Sequence, residues 1–170
     1  MIYFIVEGQT DKALIRNILK PKAEKIDFEF LGLKGIDSVK RTIENLEDLG
    51  LSQHTYFAIV DADNNFNARD NEMQRLTHTK GIDYYILPNH QDNGNLETLL
   101  LSAIGNHNVI DCFDEYEQCV KKDIGNKAKF YAYTTLEHNK RPEEFIETMD
   151  TNDLFDELKT KLQTLFEGTE

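Results

Sequence analysis

Short apolar runs that end in polar residues constrain the fold of this chain more than any other feature of its sequence. Residues 2–6, 56–60 and 84–87 are almost wholly apolar, and each run is only four or five residues long. Continuous runs of this length are typical of strands that are buried on both faces of a parallel sheet. A further strand is predicted at residues 28–33. We therefore expect a sheet of about four or five strands.

Amphipathic patterns lie between these runs. Apolar residues recur at helical spacing after Thr10, which is a candidate N-cap, and again over residues 36–49 before Gly50. Residues 67–79 fit a helix on weaker periodicity. Strands that alternate with helices imply right-handed crossovers and parallel pairing. The sequence thus predicts a three-layer, Rossmann-like α/β fold with a mainly parallel sheet.

The second half of the chain is less regular. Helices are predicted at residues 96–104, where Asn95 can act as the cap, and at residues 113–122. Residues 129–134 fit either a short edge strand or a helix, and the pattern does not separate the two. We expect one α/β domain over residues 1–150. Residues 151–170 are expected to form a C-terminal amphipathic helix that packs on the same domain or on a partner.

The expected compartment is the cytoplasm. No apolar run approaches the length needed to cross a bilayer, and Met1 leads directly into a core strand without a signal-like segment. Cys112 and Cys119 are seven residues apart, which on a helix is two turns and too far for a disulfide. We expect both to be reduced thiols in the core.

Acidic residues follow two of the predicted strands. Glu7 comes directly after the first, and Asp61 and Asp63 follow the third. Parallel sheets place their binding sites at the carboxyl ends of strands, so these acids are expected at one edge. If the extended backbone continues past Val60, Asp61 and Asp63 face the same way. Oxygen ligands of this kind suit Mg²⁺ or Mn²⁺, which indicates phosphoryl or phosphodiester chemistry.

Two segments carry a resemblance to a known family. Residues 5–12, which include Glu7 and Gly8, resemble the first motif of the TOPRIM superfamily, and residues 60–63 resemble its Asp-x-Asp motif. That superfamily includes topoisomerases, bacterial primases, ribonuclease M-five-like maturases and the overcoming-lysogenization-defect nucleases. The chain looks like a small standalone member similar to the last two groups. The two motifs with their strands cover about the first half of the chain.

The resemblance implies a role for each matching residue. Glu7 would be a general acid/base or a metal-linked carboxylate, and Asp61 and Asp63 would be Mg²⁺ ligands. Asp11 and Glu97 match further metal-binding acids of the nuclease groups. A lysine that stabilises negative charge is also implied, and Lys127 or Lys129 is the candidate, with Lys127 preferred.

The net charge of −12 bears on the partner and on the function. Proteins that coat nucleic acid display an excess of Lys and Arg, so this charge opposes a nuclease unless bound metal or a partner protein supplies positive charge. A metal-dependent nuclease or nuclease subunit acting on DNA or RNA is the leading hypothesis. The alternative is a non-catalytic regulatory or partner-binding module with the TOPRIM fold. A phospho-acceptor receiver is less favoured, because Glu7 is followed by glycine rather than by a second acid.

Overall fold

Short strands form the centre of the molecule. The computed structural model describes residues 1–22, 27–32, 37–48, 54–151 and 153–167. Within these residues four parallel strands form one sheet in the order β2-β1-β3-β4. The α/β architecture and the parallel sheet are therefore confirmed. The strands are β1 (Ile2–Val6), β2 (Phe28–Gly32), β3 (Thr55–Asp61) and β4 (Asp83–Leu87).

Helices connect and cover these strands. Residues 36, 49 and 50, which belong to the pattern predicted for the second helix, lie outside the described residues, as does Leu33 of the second predicted strand. Short 3₁₀ turns occupy Lys20–Lys22 and Asp153–Phe155. The helices are α1 (Gln9–Leu19), α2 (Asp37–Asp48), α3 (Phe66–Lys80), α4 (Leu96–Ile104), α5 (Asn108–Val120), α6 (Asn126–His138), α7 (Pro142–Ile146) and α8 (Asp156–Glu167).

The two faces of the sheet bury separate apolar clusters. Alternate residues of a strand point to opposite faces, so Phe4 and Phe57 pack on one side while Ile5 and Ala58 pack on the other. The first cluster also holds apolar residues of α1, α4, α6, α7 and α8. The second cluster holds residues of α2 and α3. The chain therefore has the predicted three layers.

The C-terminal half resolves what the sequence pattern left open. Residues 129–134 are helical, because Phe130, Tyr133 and Thr134 occupy one buried face of α6, and the edge-strand alternative is wrong. The tail helix α8 buries Leu158 and Leu162 in the same cluster as β1. Within the described residues no helix has the length and apolarity that a membrane span requires.

The two cysteines differ from the expectation. Cys112 and Cys119 lie on α5, they are not bonded to each other, and both are exposed. The prediction of core thiols was wrong. They are seven positions apart on a helix that packs mainly on α6, and the face that carries both is turned to solvent.

Two neighbours on α6 test how far the core extends into this half. Phe130 is fully buried whereas Tyr131 is 56% exposed. We expect Phe130→Ala to lower the free energy of unfolding by about 3–5 kcal/mol, because it removes a buried ring and leaves a cavity. Tyr131→Ala should change it by less than about 0.5 kcal/mol. Urea denaturation of both variants measures the difference, and equal effects would contradict this packing.

Candidate functional site

The carboxyl ends of β1 and β3 bring the first two predicted site residues together. β1 and β3 are neighbours, with Val6 opposite Ile59. Glu7 follows β1 directly, and Asp61 is the last residue of β3. The backbone N–H of Asp61 donates to Glu7 Oε1 at 3.4 Å. Residues that are far apart in the chain are thus in contact at one edge of the sheet.

Asp11 reaches the same edge from the first turn of α1. Helix α1 begins after Gly8, whose backbone N–H donates to Asp11 Oδ2 at 2.7 Å. Asp11 therefore caps the helix, and its side chain is also buried beside the strand ends. Thr10 is not the N-cap as predicted. Its hydroxyl bonds to the carboxylate of Glu97 instead.

Glu97 comes from the first turn of α4. Asn95 caps this helix as predicted, and its side chain accepts a hydrogen bond from Thr98 N at 2.9 Å. The backbone N–H of Leu96, the first residue of α4, donates to Asp61 Oδ1 at 3.4 Å. This arrangement turns the start of α4 toward the end of β3. Glu97 is 3% exposed, which is unusual for a carboxylate.

Crowding of these carboxylates changes their protonation. Burial, followed by the negative charges of Asp11, Glu7 and Glu97, raises the pKa of Asp61 to about 8. Burial is also the main cause that raises the pKa of Glu7, Asp11 and Glu97. Each acid favours its neutral form because water is excluded and like charges are close. We call Glu7, Asp11, Asp61 and Glu97 the acid cluster.

Lys127 is a cation that faces all four members of the acid cluster. Burial lowers its pKa, but the carboxylates of all four acids outweigh that effect, so the pKa of Lys127 is raised. Lys129, the other candidate, is tied to α5, where Nζ lies 2.6 Å from Asp114 Oδ1 and 2.8 Å from Glu117 Oε2. Of the two lysines, the structure places Lys127 with the acids.

Asp63 occupies a different position from the one its spacing predicted. The backbone leaves the extended conformation at this residue, where φ is 49°, so Asp61 and Asp63 do not continue one strand. Two backbone hydrogen bonds join Asp63 to Gly94, at 2.8 and 2.7 Å. The Asp63 side chain is 59% exposed, and Oδ2 lies 3.4 Å from Arg69 Nη2. Its charge still raises the pKa of Glu7, so it borders the acid cluster.

Arg69 is a site residue that the sequence analysis missed. From α3 it donates through Nε to the backbone oxygen of Asp61 at 2.8 Å, and its charge lowers the pKa of Glu7. Its side chain is only 12% exposed. A basic residue eight positions after Asp61, in the first turns of the next helix, was the available signal. The side chain of Arg69 holds the backbone at Asp61 in place through this hydrogen bond.

An open polar cavity of about 530 Å³ adjoins this edge. Its walls come from the segment after β3, the loop before α4 and the first residue of α6. Amide side chains dominate the lining, which offers both donors and acceptors without a formal charge. The lining residues are Asp63, Asn64, Asn93, Gly94, Asn95, Thr98 and Asn126.

The acid cluster suits a divalent cation in charge and in donor type. Four acids with raised pKa values outnumber the two positive groups beside them, Lys127 and Arg69, and oxygen ligands are those that Mg²⁺ prefers. The carboxylates are not positioned as a complete set of metal ligands. In the described parts of the chain, no three acidic, histidine or cysteine side chains are arranged to hold a metal ion. Mg²⁺ commonly uses one or two carboxylates with water and phosphate oxygens, and this donor set can supply that number.

Comparisons with known proteins give a family and no function. The family model described as "Protein of unknown function (DUF3226)" matches residues 2–167 of the chain. Searches of curated proteins and of solved structures found no significant match.

Proposed function

We propose that this chain, which belongs to the DUF3226 family, carries out Mg²⁺- or Mn²⁺-dependent phosphodiester chemistry on nucleic acid at a TOPRIM-like site. One observation carries the proposal. Four acids from separate segments meet at the carboxyl edge of the sheet with one lysine, and burial and mutual repulsion raise the pKa of Asp61 to about 8. Such an arrangement destabilises the fold unless a cation or a substrate uses it.

The side chains have distinct tasks in this proposal. Asp61 and Glu7, with Asp11 and Glu97 behind them, would hold the metal. When bound there, a divalent ion activates water and stabilises the leaving oxygen of a phosphodiester. Glu7 is only half-buried and burial raises its pKa, so it is a stronger base toward the attacking water than an ordinary carboxylate. Lys127 stands at the exposed side of the acid cluster, where it can offset negative charge on the phosphate.

The amide-lined cavity supports a nucleotide substrate. Asparagine side chains pair with the edges of bases, and such edges are accessible in single strands, ends and loops. The net charge of −12 opposes docking of a long duplex by electrostatics alone. Both observations favour a single-stranded or frayed substrate, or a duplex delivered by a partner protein with a basic surface.

A cleavage assay tests the proposal. The protein is incubated with end-labelled single- and double-stranded DNA and RNA in Mg²⁺, in Mn²⁺ and in EDTA. We expect cleavage of at least one single-stranded substrate in Mg²⁺ or Mn²⁺, and none in EDTA. Cleavage that persists in EDTA, or that is equal for a preparation of Glu7→Gln, would point to a contaminant. No cleavage of any substrate under any condition counts against catalysis by this chain.

A non-catalytic, partner-binding module is the second candidate, and exposed apolar residues favour it. Tyr116 on α5 is 54% exposed, and Tyr131 and Leu136 on α6 are 56% and 70% exposed. Contiguous exposed apolar side chains are a feature of protein-binding surfaces, and these residues of two packed helices are the candidates for such a patch. Calorimetry separates the two candidates. Mg²⁺ binding that is lost in Asp61→Asn supports the enzyme, whereas no Mg²⁺ heat in either protein supports the module.

A further inference from the structure

His90 lies away from the acid cluster and has an unusual set of contacts. It follows β4 in a left-handed conformation, with φ at 61°. Its ring stacks on Tyr85 with centroids 5.2 Å apart and 15° between the planes. The backbone N–H of Ile86 donates to His90 Nδ1 at 3.1 Å, and His90 N donates back to Ile86 O at 2.7 Å. The ring is thus held on both its face and its edge.

The second ring nitrogen faces a lysine. His90 Nε2 lies 2.8 Å from Nζ of Lys161 on α8. Because Nδ1 accepts a hydrogen bond, it carries no proton, and a neutral imidazole must then carry its proton on Nε2. An ammonium group has three donors and no acceptor, so it cannot accept that proton. The contact is a hydrogen bond only if Lys161 is a neutral amine that accepts from His90 Nε2–H.

The surroundings act on Lys161 in both directions. Burial is the largest effect and lowers its pKa, while Glu157, Asp83 and Asp70 oppose it. Burial, followed by the charge of Lys161, also lowers the pKa of His90, which disfavours the doubly protonated ring. The faces of Tyr84 and Tyr85, 5.6 and 5.9 Å from Nζ, attract a cation weakly at that distance. The net pKa of Lys161 is lowered, in agreement with the hydrogen-bond geometry.

A cavity opens beside this amine. Its volume is about 270 Å³, and Lys161 forms part of its wall. Apart from Asp83, the other lining residues are apolar or carry a hydroxyl group, and they belong to β3, β4 and α8. They are Phe57, Tyr84, Thr160, Thr164 and Leu165. Asp83 at the wall disfavours an anionic ligand, and the exposed Thr160 and Thr164 show that the cavity can be entered from solvent.

We propose that Lys161 is a nucleophilic amine that binds a small uncharged aldehyde in this cavity as an imine. The Nζ lone pair attacks the carbonyl carbon to form a C–N bond, the nitrogen loses two protons to the carbonyl oxygen, and that oxygen leaves as water. No electron is gained or lost, and no co-reactant is needed. His90 Nε2 lies at the right distance to relay a proton between nitrogen and oxygen.

Reductive trapping tests this site in the intact protein. The wild type is treated with propanal and cyanoborohydride at pH 7, and the alkylated lysines are quantified by peptide mass spectrometry. We expect Lys161 to react severalfold faster than Lys40, an exposed lysine on α2, because a lowered pKa raises the fraction of the amine that is neutral at pH 7. At pH 11 the advantage should vanish. Equal rates at pH 7 would overturn the proposal.

Two further measurements test whether Lys161 is a neutral amine and whether His90 donates a hydrogen bond to it. In a ¹³C-lysine NMR titration the midpoint of Lys161 should lie below that of Lys40, and an equal or higher midpoint sinks the assignment. His90→Phe keeps a ring on Tyr85 but removes the Nε2–H donor, so the selectivity for Lys161 should fall. Unchanged selectivity in a folded His90→Phe protein would contradict the hydrogen bond. None of these readouts involves metal or nucleic acid, so they are independent of the proposed function.

Discussion

Asp61→Asn is expected to lower the metal-dependent cleavage rate by at least about 10²–10³-fold while it makes the metal-free protein more stable. The substitution keeps the size of the side chain and an oxygen that can accept from Leu96 N. It removes the charge that Glu7, Asp11 and Glu97 repel. An ordinary buried polar residue would lose stability on substitution, so opposite signs for activity and stability distinguish a site residue from a structural one.

The pH dependence of stability is a second test of the charge repulsion around Asp61. The pKa of Asp61 is raised from an ordinary value of 3.8 to about 8 in the folded protein. Between those pH values the folded state binds a proton that the unfolded state has released, so the free energy of unfolding falls as pH rises. Relative to pH 4, we expect a loss of about 2–4 kcal/mol by pH 8 in EDTA. Asp61→Asn should flatten this decline.

Urea denaturation of both proteins from pH 4 to pH 9 measures the effect. Asp48→Asn is the matched control, because Asp48 is an exposed acid at the end of α2. The control should follow the wild-type curve within about 0.5 kcal/mol. A wild-type curve that rises from pH 5 to pH 8, or an Asp61→Asn protein less stable than wild type at pH 8, would contradict the charge crowding described for the acid cluster.

Lys127→Met is expected to lower the cleavage rate by about 10²-fold and to tighten Mg²⁺ binding. The lysine offsets the charge of all four acids, so its removal strengthens their attraction for a cation. It also removes the positive group that, in the proposed function, offsets negative charge on the phosphate. The metal-free protein should become less stable above pH 8, where Asp61 is ionised. Slower turnover with tighter metal binding is an outcome that simple loss of folding does not produce.

Lys129→Met is the control for this prediction. Lys129 is two residues away on α6, but its ion pairs with Asp114 and Glu117 fasten α6 to α5. Its loss should lower the melting temperature without changing Mg²⁺ affinity or the rate per folded molecule. Calorimetry with Mg²⁺ and the cleavage assay measure both variants. Equal rate losses for the two lysines would remove the special role assigned to Lys127.

The sheet could be predicted from sequence because its strands are buried on both faces. Residues 2–6 and 84–87 fall within β1 and β4, and β3 extends the predicted run by one residue at each end. The ambiguity over residues 129–134 has a physical origin. This segment contains three aromatic residues and one β-branched threonine, which favour strands locally, and burial of Phe130 and Tyr133 against neighbouring helices makes it helical.

The site was partly accessible to the same reasoning. Parallel topology alone brings Glu7 and Asp61 to one edge, and the contact between them agrees with that expectation. The position of Asp63 depends on its backbone bridge to Gly94, a contact between distant segments that no local pattern records. Arg69 was missed for the same reason, because its role is a hydrogen bond to a backbone oxygen rather than a motif.

The order of the site residues along the chain means that the four acids are synthesised before Lys127. All four acids precede residue 98, whereas the lysine that balances them belongs to α6. A nascent chain that has emerged from the ribosome only as far as α5 therefore carries the acids and Arg69 but lacks Lys127. We expect such intermediates to be less compact than the finished protein and more readily cut by proteases.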